Sequence, residues 1–238
     1  MPFSVIASRR LYQQVADQIA ALLRRGQWTV GDRLPSERDM AQSLGVSRPV
    51  VREAMIALEL LGLVEVRTGS GIYVTARQAD PAVFMQDGTD PGPSPFELID
   101  ARRVIEGETA AIAAERIDDA GVNGLREAID KMERDIEAGE QRVSNREDGD
   151  SLFHSRIAAA ADNAVLQSIV EQLWDGMRRP LFAAICKRVG LPENARRAVG
   201  EHREILRRIA AHDPEGARKA MWAHIDQVRS VMLYNGDK

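Results

Sequence analysis

A single cysteine in 238 residues, Cys186, excludes an internal disulfide and suits a reducing compartment. It stands in the run LFAAIC, where a buried, inert thiol is the simplest reading. Long hydrophobic runs are missing too: none approaches the roughly 18 residues a membrane span needs, and no signal-peptide pattern opens the chain. These absences lead us to expect a cytoplasmic protein with no membrane partner. Lysine is absent from the first 77 residues, so every basic side chain there is an arginine. Histidine is scarce, with four in the chain, and no HExxH, internal repeat or low-complexity segment is present. What remains is 44% hydrophobic and 29% charged, the composition of a soluble globular protein. The length suits one large or two ordinary domains.

Net charge is −4, but it is unevenly placed. Residues 1–77 hold 10 arginines against 7 acidic residues, for +3, and the rest holds 22 basic against 29 acidic, for −7. Attraction to phosphate is concentrated in the first third.

That third contains LPSERDMAQSLGVSRPVVREAMIALELLGLVEVRTGSGIYV, from Leu34 to Val74. Ser36 after Pro35 is an N-cap signal, and Asp39 is an acidic near-match to a capping box. The helix should stop at Gly45. Ser47 caps the next helix, whose first turn accommodates Pro49 without losing a hydrogen bond. Val51, Ala54, Met55 and Leu58 recur at helical spacing and face inward. Arg48 and Arg52, four apart, share the other face near the N-terminal end, which a recognition helix presents to base edges. Leu63–Arg67 and Ile72–Thr75 alternate like short strands around a Gly69-Ser70-Gly71 tip. An arginine can grip guanine bidentately or hold a phosphate. A small helical domain with surface arginines is the plainer alternative.

Residues 9–25 add an earlier helix with Leu11, Val15, Ile19 and Leu22 inward. Residues 77–95 have linker composition. Beyond Phe96 the pattern predicts helices over 96–116, 119–138, 147–162, 164–189, 194–211 and 214–234. The short breaks between them favour an antiparallel bundle. The fold expected is mainly α: a winged helix-turn-helix over 1–76, a linker over 77–95 and an all-α antiparallel helical bundle over 96–238.

Three of the four histidines fall on inward helix stripes. Asp150 and His154 are four apart and share a face with Phe153 and Ile157. His202 aligns with Ile205 and Ile209, and His224 with Met221, Val228 and Val231. His212 falls in an AHDPEG turn and should be exposed. One carboxylate and three imidazoles converging inside a bundle suit Zn²⁺, or Ni²⁺ or Mn²⁺, with positions open for a ligand. Three separately hydrogen-bonded core histidines are the plainer alternative. Arg102 also lies within an inward stripe, with Leu98, Ile99, Ile105, Thr109 and Ile112. A buried guanidinium needs an anionic partner; Glu106, one turn on, is one candidate and an effector carboxylate another. Arg103 points differently, toward surface or interface. Trp174 reads as core, or as a wall of a sugar-sized pocket.

From residue 10 to 75 the chain resembles the DNA-binding domain of the GntR family of bacterial transcription regulators, in its FadR-like branch. LPSERDMAQSLGVSRPVVREAM and the G-x-G tip carry the likeness. From about 96 to 230, ELIDARRVIEGETAAIAAERI, DSLFHSRIAAAADNAVL, EHREIL and ARKAMWAHI look like that branch's helical ligand-binding FCD domain. The resemblance implies DNA contacts from Arg38, Ser47, Arg48, Arg52, Thr68 and Gly69. It implies a metal held by Asp150, His154, His202 and His224, and an effector cavity lined by the R-x-x-x-E helix of Arg102. LWDGMRRP is similar to sugar-acid-responsive members, which inclines the effector toward a hexuronate, aldonate or related hydroxy-acid and brings Trp174 into the pocket. Pro49 and Val50 stand where the fatty-acid-responsive member has hydroxyl residues, so its operator sequence does not transfer.

The implied protein is a homodimeric, metabolite-responsive regulator, expected to be a repressor, reading a palindromic double-stranded operator. A regulator responding to the metal itself is an alternative. A metalloenzyme is a more remote one, since no motif places a general base and the DNA-binding head has no enzymatic use.

Overall fold

The computed structural model describes residues 10–67, 69–75, 92–138, 148–189 and 192–234. Most of the expected linker, and Thr68 at the wing tip, lie outside these residues. The chain divides into two compact units, with the division in sequence falling between Ser94 and Pro95.

The first unit begins with α1 (Leu11–Arg24), whose Val15, Ala16 and Ile19 turn inward. In α2 (Glu37–Leu44) the Ser36 side chain accepts from the Asp39 amide, and Gly45 closes the helix at φ +67°. That left-handed conformation suits glycine. α3 (Arg48–Leu60) buries Val51, Ala54, Met55 and Leu58, which join Val15, Ile19, Leu34 and Met40 in one core. β1 (Val64–Arg67) and β2 (Gly71–Val74) pair antiparallel, with Val64 opposite Val74 and Arg67 opposite Gly71. Their alternation puts Val64, Ile72 and Val74 into the same core. Residues 31–34 lie along the other edge of β2: the Leu34 amide donates to the Ile72 carbonyl at 2.8 Å, and Val74 to Asp32 at 2.9 Å. This is a winged helix-turn-helix.

The second unit is helical throughout its described length. It comprises α4 (Pro95–Arg116), α5 (Asp119–Glu137), α6 (Gly149–Ala160), α7 (Ala164–Met177), α8 (Pro180–Val189), α9 (Pro192–Ala210) and α10 (Pro214–Tyr234). Asp118, Asp148 and Asn163 cap α5, α6 and α7 through side-chain oxygens. α4 is the central element and packs on α6, α7, α9 and α10. Its Gly107 permits the closest approach, since a Cβ there would lie 2.2 Å from Trp222 Nε1 of α10.

One expected helix is two. The continuous segment 164–189 breaks at Arg178 and Arg179, and a new helix starts at Pro180. Proline supplies no N–H and pushes the preceding residue out of the helical region, so the apolar pattern on either side does not keep the helix whole.

Candidate functional site

In the first unit the proposed DNA-contacting residues are differently placed. Arg48 is exposed at the first turn of α3, and Arg38 is exposed on α2. Ser47 occupies the N-cap position of α3 with extended backbone, but its exposed hydroxyl makes no capping bond. Gly69 is exposed at φ +70°. Arg52 does not share the outward face of Arg48. It is buried, with Nε 3.1 Å from both Glu37 oxygens and Nη2 at 2.7 Å, and so clamps α3 to α2. The i,i+4 spacing gave no sign of this, because Glu37 lies fifteen residues away on another helix. Also unforeseen was Arg67, which lies 4.5 Å over the Tyr73 ring and bonds Glu65 at 2.9 Å.

In the second unit, Asp150 and His154 project from α6, His202 from α9 and His224 from α10, and their ligand atoms all lie within 4.8 Å of one another. His202 Nε2 is 3.0 Å from Asp150 Oδ1 and 3.2 Å from His154 Nε2; His154 Nε2 is 3.7 Å from Asp150 Oδ1. The three imidazoles are at most 2% exposed. Phe153 packs edge-on against His154 and His202 and fixes their ring planes. His212 stands apart, exposed, with Nδ1 at 2.8 Å from the Ala114 carbonyl.

Each of the three rings is held from behind. His154 Nδ1 meets Glu106 Oε2 at 2.5 Å, His202 Nδ1 meets the Ala198 carbonyl at 2.7 Å, and His224 Nδ1 meets Glu201 Oε2 at 2.8 Å. A carbonyl can only accept, so His202 carries its proton on Nδ1. Burial alone would push the Glu106 carboxyl up, but Arg102 and His154 hold it down at about 2. It is an anion, and His154 Nδ1 likewise carries the proton. Burial outweighs Glu106 in lowering the pKa of His154; burial, with the neighbouring His202 and His154, takes His224 well below the ordinary value. With Nδ1 protonated, the Nε2 atoms of His154 and His202 offer lone pairs to the same point, 3.2 Å apart.

Two facing lone pairs repel unless a cation lies between them. Donors about 2.1 Å from one ion stand about 3.0–3.4 Å apart at octahedral or tetrahedral angles, which matches the two shorter separations. The donor set therefore fits a divalent ion of the Zn²⁺ class. The carboxylate and carbonyl behind each ring are the outer partners that fix a metal-binding histidine. Glu106 and Glu201 were legible as neighbours of Arg102 and His202, but not in these roles.

Arg102 finds the nearer of its two candidate partners. Its Nε is 2.6 Å and its Nη2 3.2 Å from the Glu106 oxygens. Its guanidinium lies 4.7 Å over the Trp174 ring, and that ring is 5.0 Å from His154. Nη1 makes no hydrogen bond among the described residues. Arg103, by contrast, reaches the surface, bonding Asp226 at 2.7 Å and covering Trp222.

Comparison with known proteins agrees with this architecture. Residues 11–74 match the bacterial regulatory proteins of the gntR family, and residues 97–227 match the FCD domain. The Uxu operon transcriptional regulator of Escherichia coli K12 is 34% identical over 97% of this chain and 90% of its own length. The Exu regulon transcriptional regulator of the same organism is 36% identical over 95% of this chain and 86% of its own. A putative L-lactate dehydrogenase operon regulatory protein, also from that organism, is 30% identical over 96% and 88%. These relatives are transcriptional regulators, not enzymes. The chain belongs to the GntR family of bacterial regulatory proteins, with a winged DNA-binding head followed by an FCD domain.

Proposed function

We propose that the protein is a cytoplasmic, homodimeric repressor whose hold on a palindromic operator is weakened by a small organic acid. Two winged heads related by a twofold axis would present two copies of α3 to the half-sites. Arg48 reads base edges, Arg38 and Ser47 hold phosphates, and Thr68 and Gly69 enter the minor groove. Arg52 contributes by fixing α3 on α2. In the second unit Asp150, His154, His202 and His224 hold Zn²⁺, or Ni²⁺ or Mn²⁺, which when bound supplies a Lewis-acidic site for oxygen ligands. Arg102 presents Nη1 to the acid's carboxylate beside that site, and Trp174 walls it.

The observation that carries this reading is the convergence of four metal donors beside a buried arginine, in a chain whose other unit is a winged helix. The relative named for an L-lactate dehydrogenase operon supports a hydroxy-acid. The similarity of LWDGMRRP to sugar-acid-responsive regulators supports a larger one. The acid shifts operator binding by no more than its differential affinity for the two states of the head pair.

A thermal-shift panel of sugar acids and small hydroxy-acids, on metal-loaded and chelator-stripped protein, tests it. A ligand at a hundred times its Kd adds about 2.7 kcal/mol, a rise on the order of 5–10 °C for a chain this size. The expected outcome is a shift for at least one acid that disappears on stripping, and loss of operator binding with that acid in a gel shift. A shift with metal alone, to which no acid adds, would instead make the ion structural or itself the signal.

A further inference from the structure

We infer that Arg178 and the indole N–H of Trp174 form the specificity end of the effector site, and that the effector is a polyhydroxy acid rather than a two- or three-carbon acid. The inference rests on the proposed metal-and-arginine pocket and deepens it.

Trp174 is 1% exposed, and its Nε1 is enclosed without a hydrogen-bond partner. Natural cores rarely keep an enclosed N–H unsatisfied unless a ligand or water completes it. Its ring stands against two residues of the centre, the Arg102 guanidinium and the His154 imidazole. Arg178, at the C-cap of α7, is one helical turn beyond Trp174 and so lies on the same face. Its Nη1 donates to Asp175 at 2.9 Å and its Nη2 to Ser151 Oγ at 2.6 Å. Ser151 follows Asp150 on α6 and precedes His154 by one turn. Arg178 is thus tied to the helix that carries two of the four metal donors.

The guanidinium of Arg178 is not fully used by those bonds. Its Nε is enclosed without a partner, although a purely structural strap between α6 and α7 would be served by the two Nη contacts. Arg102 is occupied differently, with its charge compensated by Glu106. The centre therefore offers metal-ligand nitrogens on one side and unsatisfied N–H donors, from Trp174 and Arg178, along α7. Donors with no acceptors among them match a ligand rich in oxygen lone pairs. A carboxylate at the metal and Arg102 leaves these donors to the hydroxyls further along the carbon chain. A three-carbon acid is spent before it reaches Arg178. A site built to hydrogen-bond hydroxyls discriminates strongly against a ligand lacking them.

The test is isothermal titration calorimetry on the metal-loaded, full-length protein. The probes are glucuronate, galacturonate, gluconate and galactonate, with lactate and glycolate beside them. The variants are Arg178→Gln, Trp174→Phe and Arg178→Lys, the last keeping the charge but not the planar fork. At least one six-carbon acid should bind wild type about tenfold or more tighter than lactate or glycolate. Arg178→Gln and Trp174→Phe should each weaken that acid by about tenfold to a hundredfold. Arg178→Lys should restore part of the loss, while metal stoichiometry and any lactate affinity stay as in wild type. A merely structural strap would move all of these together, and that pattern overturns the inference. So does a six-carbon acid whose affinity survives Arg178→Gln, or lactate binding as tightly as any sugar acid; either leaves the metal-and-arginine pocket standing. If wild type binds no acid at all, the proposed function fails and this inference fails with it.

Discussion

Glu106 serves two partners with one carboxylate: it neutralises Arg102 and holds the Nδ1 proton of His154. The imidazoles in front of it are buried and neutral, which has a consequence for acid stability. His154 and His224 have folded-state values below the ordinary 6.5. Below pH 6.5 the unfolded chain therefore takes up protons that the fold refuses, and stability falls as pH drops. The loss is about 1.4 kcal/mol per pH unit for each histidine. Glu106 acts in the same direction over a lower window, its contribution being lost between about 4.5 and 2. The melting temperature of chelator-stripped protein should therefore drop steadily from pH 7 to pH 5; a flat profile would contradict neutral, buried imidazoles. At this scale much was legible. Asp150 and His154 stood four apart, and His202 and His224 each lay on an apolar stripe, so inward projection followed from helix geometry. What holds the rings was not legible, because a backbone carbonyl such as Ala198 has no sequence signature. Glu106 had two possible partners, and only three dimensions show that it takes both Arg102 and His154.

Elements matter through where they touch. α6 carries Asp150 and His154, and its first residue, Gly149, lies against the backbone of α5: a Cβ there would stand 2.4 Å from the Met132 nitrogen and 2.8 Å from the Ala128 carbonyl. Backbone atoms cannot swing aside as a flexible side chain can. Gly149→Ala must therefore push the start of α6 away from α5, and with it the neighbouring Asp150. We expect a loss of about 1–3 kcal/mol in urea unfolding of the metal-free protein. A separate weakening of Zn²⁺ in a competition titration should accompany it, since Asp150 leaves its position near His202. Unchanged metal affinity in a destabilised variant would show that the α5–α6 contact does not position the donor. Sequence gave the helix but not this requirement, since a glycine at a helix start reads as cap or turn. The α7–α8 break was likewise missed: LWDGMRRPLFAAIC is apolar on both sides, and periodicity outweighed the single proline. That break ends α7 at Arg178, whose side chain then ties back to Ser151.

For the whole molecule, charge sorts the two units by task. The first 77 residues carry +3 and the remainder −7, so phosphate is drawn to the winged head and repelled by the rest. Within the head not every arginine is available to DNA, and the two on α3 should separate cleanly under mutation. Arg48 is exposed, whereas Arg52 is spent on Glu37. Arg48→Ala should leave the melting temperature unchanged, cost about 1–3 kcal/mol in operator affinity and flatten the preference for operator over scrambled DNA, as loss of a base contact does. Arg52→Ala leaves Glu37 without its guanidinium between two packed helices. It should destabilise the head by about 2–3 kcal/mol, and affinity should fall through the folded fraction, with sequence preference retained in the molecules that stay folded. Gel shifts on operator and scrambled duplexes at several salt concentrations, run beside melting curves, distinguish the two. If Arg52→Ala lost selectivity at full stability, Arg52 would leave Glu37 to read DNA in the complex, and the clamp would belong to the free protein alone. If Arg48→Ala changed neither affinity nor selectivity, the base-reading role of α3 would have to pass to another of its residues.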